Sequence, residues 1–537
     1  MSIDHLLRDR YVAERLWRQK ATIYDDVRRA AAATPDKPAF ITVDSDRRSV
    51  MTYSELVTAV DRAAGNLARL GVDHGDVITL QLPNGWQLNT LILACARIGA
   101  IANPVVPIMR RREVEYIMRL TGSPVYIAPT ELRGHSYSDM ALELANVLPN
   151  LRHSILVGEP IHTSQLGFNA DLLESHRDTP SIRSRCAKAD DLAQVIFTSG
   201  TTGEPKGVMH SHNTLYAINR AQAEVLHLTS EDVTSTGAPT THQAGYTWNL
   251  IMPLMLGSTS VHIDRWNPDL ALDLIQDYSI SFFMGAPTFL KDLIEAQERR
   301  HRNLSSLKIF ATGSAPVPPM IVERCTRVLG CRLHSLWGMT ENGCVTITRP
   351  EQPLTHAAMS DGIPVRGMEV RIVSTDSSNL SEPGKVGKLQ VRGAGQCLGY
   401  FRREQIYAAN ITEDGWFDTG DLARDDGFGG IRIAGRLKDV IIRGAENIPV
   451  VEVEGELLSH PDIKEVALVG YPDPRLGERA CAVVVANRPL CLRDITRHLE
   501  AAGMAKQYWP ERLELRDTLP RTPSGKIQKF MLRQTLT

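Results

Sequence analysis

Residues 196–208 read IFTSGTTGEPKGV. Thr198, Ser199, Gly200, Thr201, Thr202, Gly203 and Lys206 gather hydroxyls, glycines and an ammonium into one short stretch after an apolar run. Glycine lets main-chain N–H groups approach an anion closely, hydroxyls donate to its oxygens, and lysine supplies positive charge. That combination suits a loop gripping a polyphosphate. It is not a Walker A loop, because after Gly200 and four further residues ending at Glu204, Pro205 stands where the second glycine would be needed. No Ser-His-Asp or Cys-His arrangement is evident.

The elements that must position this loop alternate in type. Ser54 reads as a helix N-cap, followed by Leu56, Val60, Leu67 and Leu70 at helical spacing and by Gly71 as a stop. Residues 77–83 read as a buried strand, 88–99 as an apolar helix and 125–129 as a further strand. Residues 192–197 form a strand that leads into the loop, and a helical pattern runs over 208–228. Such alternation predicts an α/β fold with parallel sheets covered by helices. Near residue 360 the texture changes to Gly-rich turns and short β-branched runs, which predicts a small antiparallel, barrel-like unit over about 360–438. A helix–strand–strand pattern then resumes. The boundary is placed at Asp439, giving an N-terminal domain over 1–438 and a small α+β domain over 439–537.

The 537 residues allow three to four units at roughly 150 residues each. With 43% hydrophobic and 23% charged residues the chain is globular rather than disordered. Sixty basic against 62 acidic side chains leave a net charge of -2, with no global field for nucleic acid. The eight cysteines form no Cys-x-x-Cys pair, which points to a reducing compartment and away from zinc. The first residues lack the apolar core of a signal peptide, and the apolar stretch 88–109 is broken by Arg97 and two prolines. A soluble, cytoplasmic protein is expected.

TSGTTGEPKG resembles the phosphate-binding signature of the adenylate-forming superfamily, which holds acyl-CoA synthetases, luciferases and peptide-synthetase adenylation domains. WGMTE (337–341), GWFDTGD (415–421), GRLKD (435–439) and PSGKI (523–527) are similar to its further signatures, in order and across essentially the whole chain. The resemblance implies ATP, Mg²⁺ and coenzyme A as reactants or cofactors. In WGMTE it implies an adenine face at Trp337, where the family usually has Tyr, with Gly338, Met339 and Thr340 beside it. Glu341 is a hard oxygen ligand for Mg²⁺, and Thr202 and Thr340 are phosphate donors. Gly313, Ser314 and Ala315 resemble the adenine-side loop. Asp421 matches the ribose-binding carboxylate; Arg436 and Lys438 belong to the segment that approaches ribose and phosphate.

The resemblance further implies two half-reactions. A substrate carboxylate attacks the α-phosphorus of ATP, giving acyl-AMP and pyrophosphate, and a thiol then displaces AMP. Lys526 is the lysine that bridges carboxylate and α-phosphate. A mobile C-terminal domain turns about Asp439 between the steps, and Gly444 borders the pantetheine path. Residues 238–258 resemble the acyl-pocket segment, with His242, Gln243, Gly245 and Tyr246 as substrate residues. The expected substrate is a medium-chain or cyclic aliphatic acid. One alternative is an acyl- or aryl-AMP ligase that loads a carrier protein. The other is a non-catalytic nucleotide-binding protein.

Overall fold

The computed structural model describes residues 5–44, 47–174, 187–198, 205–313, 317, 319–375, 377, 379–443, 446–522 and 527–536. Two large sheets carry most of the chain. Nine strands form the first, from Ile363–Pro364 at one edge to Arg47–Thr52 at the other. Eight form the second, from Gly399–Tyr400 to Leu166–Gly167. Both have parallel interiors with antiparallel strands at an edge. The interior strands are apolar on both faces, as a strand covered from both sides must be: Val77–Leu80, Val125–Pro129 and Thr259–Ile263 are buried throughout.

Helices fill the space around these sheets. Tyr53–Arg69 buries Leu56, Val60, Ala63, Ala64 and Leu67 along one face. Its N-cap is Thr52, two residues before the expected Ser54. The Thr52 hydroxyl accepts from the Glu55 main-chain N–H and the Glu55 carboxylate accepts from that of Thr52, a reciprocal box that Ser54 has no partner to form. Trp86–Ile98 is buried nearly all round and ends at Gly99 in the left-handed region (φ 76°). Among the described residues no helix is long and apolar enough to cross a membrane.

One expectation is corrected here. Residues 206–211 are not the start of a helix. Lys206–Ser211 is a strand paired antiparallel with Leu192–Thr198, and the helix begins at His212 with Ser211 as its cap, accepting from the Thr214 N–H. Val208 and Leu215 stand seven residues apart, a helical spacing, but the polar run 210–214 lies between them. Only sheet pairing on both sides, to Leu192–Thr198 and to Gly399–Tyr400, makes residues 206–211 extended.

Four antiparallel strands follow, Met368–Val373, Gly387–Gly393, Phe417–Asp425 and Ile431–Arg436. The last part builds a five-stranded sheet around the long hairpin Ile463–Asp473 and Gly477–Ala486. It has apolar cores of its own on both sheet faces. One is drawn from residues between Ile441 and Leu499, the other from residues between Ala467 and Leu536.

Candidate active site

Antiparallel pairing brings the two strands that flank the glycine-rich loop together, with Thr198 opposite Lys206. Ser199, Gly200, Thr201, Thr202 and Gly203 lie outside the described residues, so the geometry rests on the two ends. Val208, two residues past Lys206, pairs with Tyr400, and this brings the Tyr400 ring under the lysine: Nζ lies 5.0 Å from the ring centroid. The Tyr400 hydroxyl then donates to Oε1 of Glu341 at 2.8 Å. One buried phenol thus touches both the loop's cation and the carboxylate of WGMTE.

A second tie runs from the same strand. His210 Nε2 donates to the Thr340 carbonyl at 2.8 Å, while Nδ1 accepts from the Thr214 hydroxyl at 3.0 Å. Burial drives this imidazole down to about 4, so it is neutral at pH 7 and the carbonyl fixes its proton on Nε2. Glu341, 8% exposed, has its carboxyl pushed up by burial. The Tyr400 hydroxyl opposes that push most strongly among its neighbours, with smaller help from Arg436 and Lys206.

Trp337 and Asp421 are 84 residues apart in sequence, on strands of two different sheets, and meet side chain to side chain: indole Nε1 donates to Asp421 Oδ2 at 3.0 Å. Arg436 lies opposite Asp421 in the sheet, with its Nε 2.8 Å from Oδ1. The carboxylate is buried and Arg436 is partly open to solvent. Trp at this position therefore supplies a donor of its own. Gly338 continues the strand Arg332–Met339, and a Cβ there would stand 2.0 Å from the Gly343 carbonyl oxygen. No other residue fits without moving that strand pair. Gly313 ends the neighbouring strand, whose Thr312 pairs with Ser335; Ser314 and Ala315 lie outside the described residues.

His242 caps the short helix Gln243–Tyr246, accepting through Nδ1 from the Ala244 N–H at 3.2 Å. Gly245 packs so closely on Pro239 that a Cβ would come 2.2 Å from its carbonyl oxygen. Gln243 is 4% exposed, and neither its amide nitrogen nor its amide oxygen has a hydrogen-bond partner among the described residues. Tyr246 is buried and lines a small cavity of about 10 Å³ with Arg18, His212 and Ile251, room for one water. Its phenol is pushed well up by that burial.

Lys438 and Asp439 form the turn Leu437–Asp439 at the end of the strand Ile431–Arg436. Arg443 is committed to Glu511, Nη1 to Oε1 at 2.7 Å. Gly444 and Lys526 lie outside the described residues.

The sequence model of the family described as AMP-binding enzyme matches residues 27–401, and that of the AMP-binding enzyme C-terminal domain matches residues 452–526. The chain belongs to the AMP-binding enzyme family. It is 35% identical to the medium-chain fatty-acid–CoA ligase of Escherichia coli (strain K12), over 98% of this chain and 92% of that one. It is 32% identical to the salicyl-AMP ligase / salicyl-S-ArCP synthetase of Mycobacterium tuberculosis (strain ATCC 25618 / H37Rv), over 93% and 88%. Among solved structures it is similar to the anthranilate CoA ligase AuaEII in complex with anthranoyl-AMP. That match has a TM-score of 0.86 and 25% identity, over 97% of this chain and 98% of that one. The chain is thus an ATP-dependent adenylate-forming enzyme, an AMP-forming acid–thiol ligase.

Within this enzyme two residues escaped the reading of the sequence, Tyr400 and His210. Neither belongs to one of the signature motifs. Their significance comes from strand pairing that sets Val208 beside Tyr400 and from the approach of the strand Lys206–Ser211 to Thr340.

Proposed function

We propose that this enzyme is an acyl-CoA synthetase that converts a medium-chain or cyclic aliphatic acid to acyl-AMP and then to acyl-CoA. The observation that carries the reading is the joining of Lys206, Tyr400 and Glu341 beside the Trp337–Asp421–Arg436 cluster. It assembles a phosphate cation, a metal carboxylate and a ribose carboxylate from separate parts of the chain. The aliphatic tail is supported by the apolar helix turns Leu250, Ile251 and Leu254 beyond His242, all buried, and by the kinship with the E. coli ligase.

In the first half-reaction the substrate carboxylate attacks the α-phosphorus in line and pyrophosphate leaves. A carboxylate needs no general base, so the enzyme's task is alignment and charge neutralisation. Lys206 and the hydroxyls of Thr198, Ser199, Thr201 and Thr202 hold the phosphates, Asp421 accepts from the ribose, and Trp337, Gly313, Ser314 and Ala315 border the adenine. His242, Gln243, Gly245 and Tyr246 border the acyl group. Glu341 fits Mg²⁺: it is a buried oxygen donor held by the Tyr400 hydroxyl through Oε1. Glu341 and Thr202 would hold the ion, which when bound neutralises phosphate charge. Lys526 neutralises charge developing between carboxylate and α-phosphate. The 439–537 domain then turns about Asp439, bringing Gly444 to the pantetheine of coenzyme A.

One observation favours a second reading. Gln243 leaves both ends of a buried amide unpaired, a state that costs stability unless a ligand completes it. An acid bearing a hydroxyl or amino group near its carboxylate would do so, as in an aryl-AMP ligase that loads a carrier protein. The two readings separate in one experiment. ATP–pyrophosphate exchange is measured with octanoate, cyclohexanecarboxylate and salicylate, followed by product formation with coenzyme A or a phosphopantetheinyl carrier protein. Octanoate or cyclohexanecarboxylate with coenzyme A is expected to give the highest rate. A preference for salicylate and the carrier overturns the first reading.

A further inference from the structure

The helix Lys529–Gln534 begins three residues after Lys526 and belongs firmly to the last part of the chain. Lys529 Nζ pairs with Oε1 of Glu454 at 2.7 Å with both side chains largely buried, and Leu532 sits in the core against Ala467, Val469 and Cys481. From this helix Arg533 reaches back to the turn Leu437–Asp439. Its Nη1 donates to the Lys438 main-chain carbonyl at 3.0 Å, and its Nη2 lies 3.2 Å from Oδ1 of Asp439.

One partner lies just before the pivot residue and the other is the pivot residue's own carboxylate. The Lys438 carbonyl stands on the N-terminal side of Asp439, whereas the helix that holds it stands on the C-terminal side. A change in φ or ψ at Asp439 swings that carbonyl relative to the helix, and a bond of 3.0 Å does not survive a rotation of tens of degrees. The carboxylate of the pivot residue is held by the same guanidinium, whose fork can serve two acceptors at once. We propose that Arg533 is a latch on the hinge: it holds the domain arrangement seen here and must let go before the enzyme passes between half-reactions. The inference rests on the reading of Asp439 as the pivot. Arg533 is thus a positioning residue, and it ties the hinge to the helix that follows Lys526.

The test uses the full-length enzyme with Arg533→Met, Arg533→Lys and, as a reference, Asp439→Pro. Two quantities are read: hydrogen exchange of main-chain amides over residues 437–443 without nucleotide, and the ratio of the ATP–pyrophosphate exchange rate to the thioester-forming rate. Arg533→Met keeps the aliphatic stem and removes both bonds. Because the pair is partly exposed, its loss is expected to speed exchange and shift the ratio by about three- to tenfold. Arg533→Lys, which can satisfy one partner, is expected to fall between Met and wild type. If Asp439→Pro separates the half-reactions while Arg533→Met leaves exchange and ratio unchanged, the latch is refuted and the hinge stands. If Asp439→Pro depresses both halves equally, the pivot is lost and the latch with it. Should Arg533→Met fail to fold, Arg533→Lys decides alone, and wild-type values in it overturn the proposal.

Discussion

Replacing Tyr400 with phenylalanine removes one oxygen atom and with it the hydrogen bond to Glu341. Glu341 is buried, so no solvent stands ready to replace the donor. A hydrogen bond to a charged group contributes about 1.5–3 kcal/mol, and 1.36 kcal/mol corresponds to a factor of ten, so affinity for Mg·ATP should fall about ten- to 150-fold. The same hydroxyl is the main neighbour opposing the upward push on the Glu341 carboxyl. Its loss should therefore move the acid limb of Mg·ATP binding to higher pH. The ring remains, so Lys206 keeps its contact. Tyr400→Leu removes that contact too and should cost a further 0.5–2 kcal/mol or so in nucleotide binding. Isothermal titration with ATP at graded Mg²⁺, at pH 7.5 and pH 6, reads both effects without turnover. Wild-type Mg²⁺ dependence in Tyr400→Phe would refute the argument that this phenol orients the metal carboxylate. Equal binding by the Phe and Leu variants would refute its role under Lys206.

Three further outcomes are expected. Lys526→Ala should lose about 10²–10³ in acyl-AMP formation while still binding ATP, as followed by pyrophosphate exchange and equilibrium dialysis; near-normal exchange contradicts the assigned role. Gly338→Ala should destabilise the fold by about 1–3 kcal/mol and weaken nucleotide binding, since its Cβ would collide with the Gly343 carbonyl; unchanged melting and affinity would show that the strand pair can open. Stability should fall as pH drops below 6.5. Burial holds His210, His212 and His334 at about 4 and His262 at about 3, so the folded chain stays unprotonated there while the unfolded chain takes up protons. That contribution is complete above 6.5 and is lost as pH falls towards 4; Glu341 and Asp361, raised by burial, act in the opposite sense lower down. Urea midpoints at pH 7, 6 and 5 check the slope, and a flat series contradicts it.

The motifs were legible in the sequence because each combines residue types that rarely coincide without a task, and because they recur in a set order. The convergence of Trp337, Asp421 and Arg436 followed from that order alone, although the indole hydrogen bond to Asp421 did not. What stayed hidden depends on tertiary pairing. Lys206–Ser211 leads directly into the helix His212–Val225, and its extended form is set by the strands that pair with it. Tyr400 and His210 acquire their importance from that same strand, and Arg533 from a turn 94 residues earlier. Thr52 displaced Ser54 as a cap because Glu55 completes a box with it, a detail set by a single residue of offset.

In the proposed reaction a substrate carboxylate oxygen bonds to the α-phosphorus of ATP. Octanoate labelled with oxygen-18 in its carboxyl group, turned over with ATP and coenzyme A and followed by mass spectrometry of the nucleotide product, tests this directly. One labelled oxygen is expected in AMP and none in pyrophosphate. Unlabelled AMP, or label in pyrophosphate or inorganic phosphate, would contradict it.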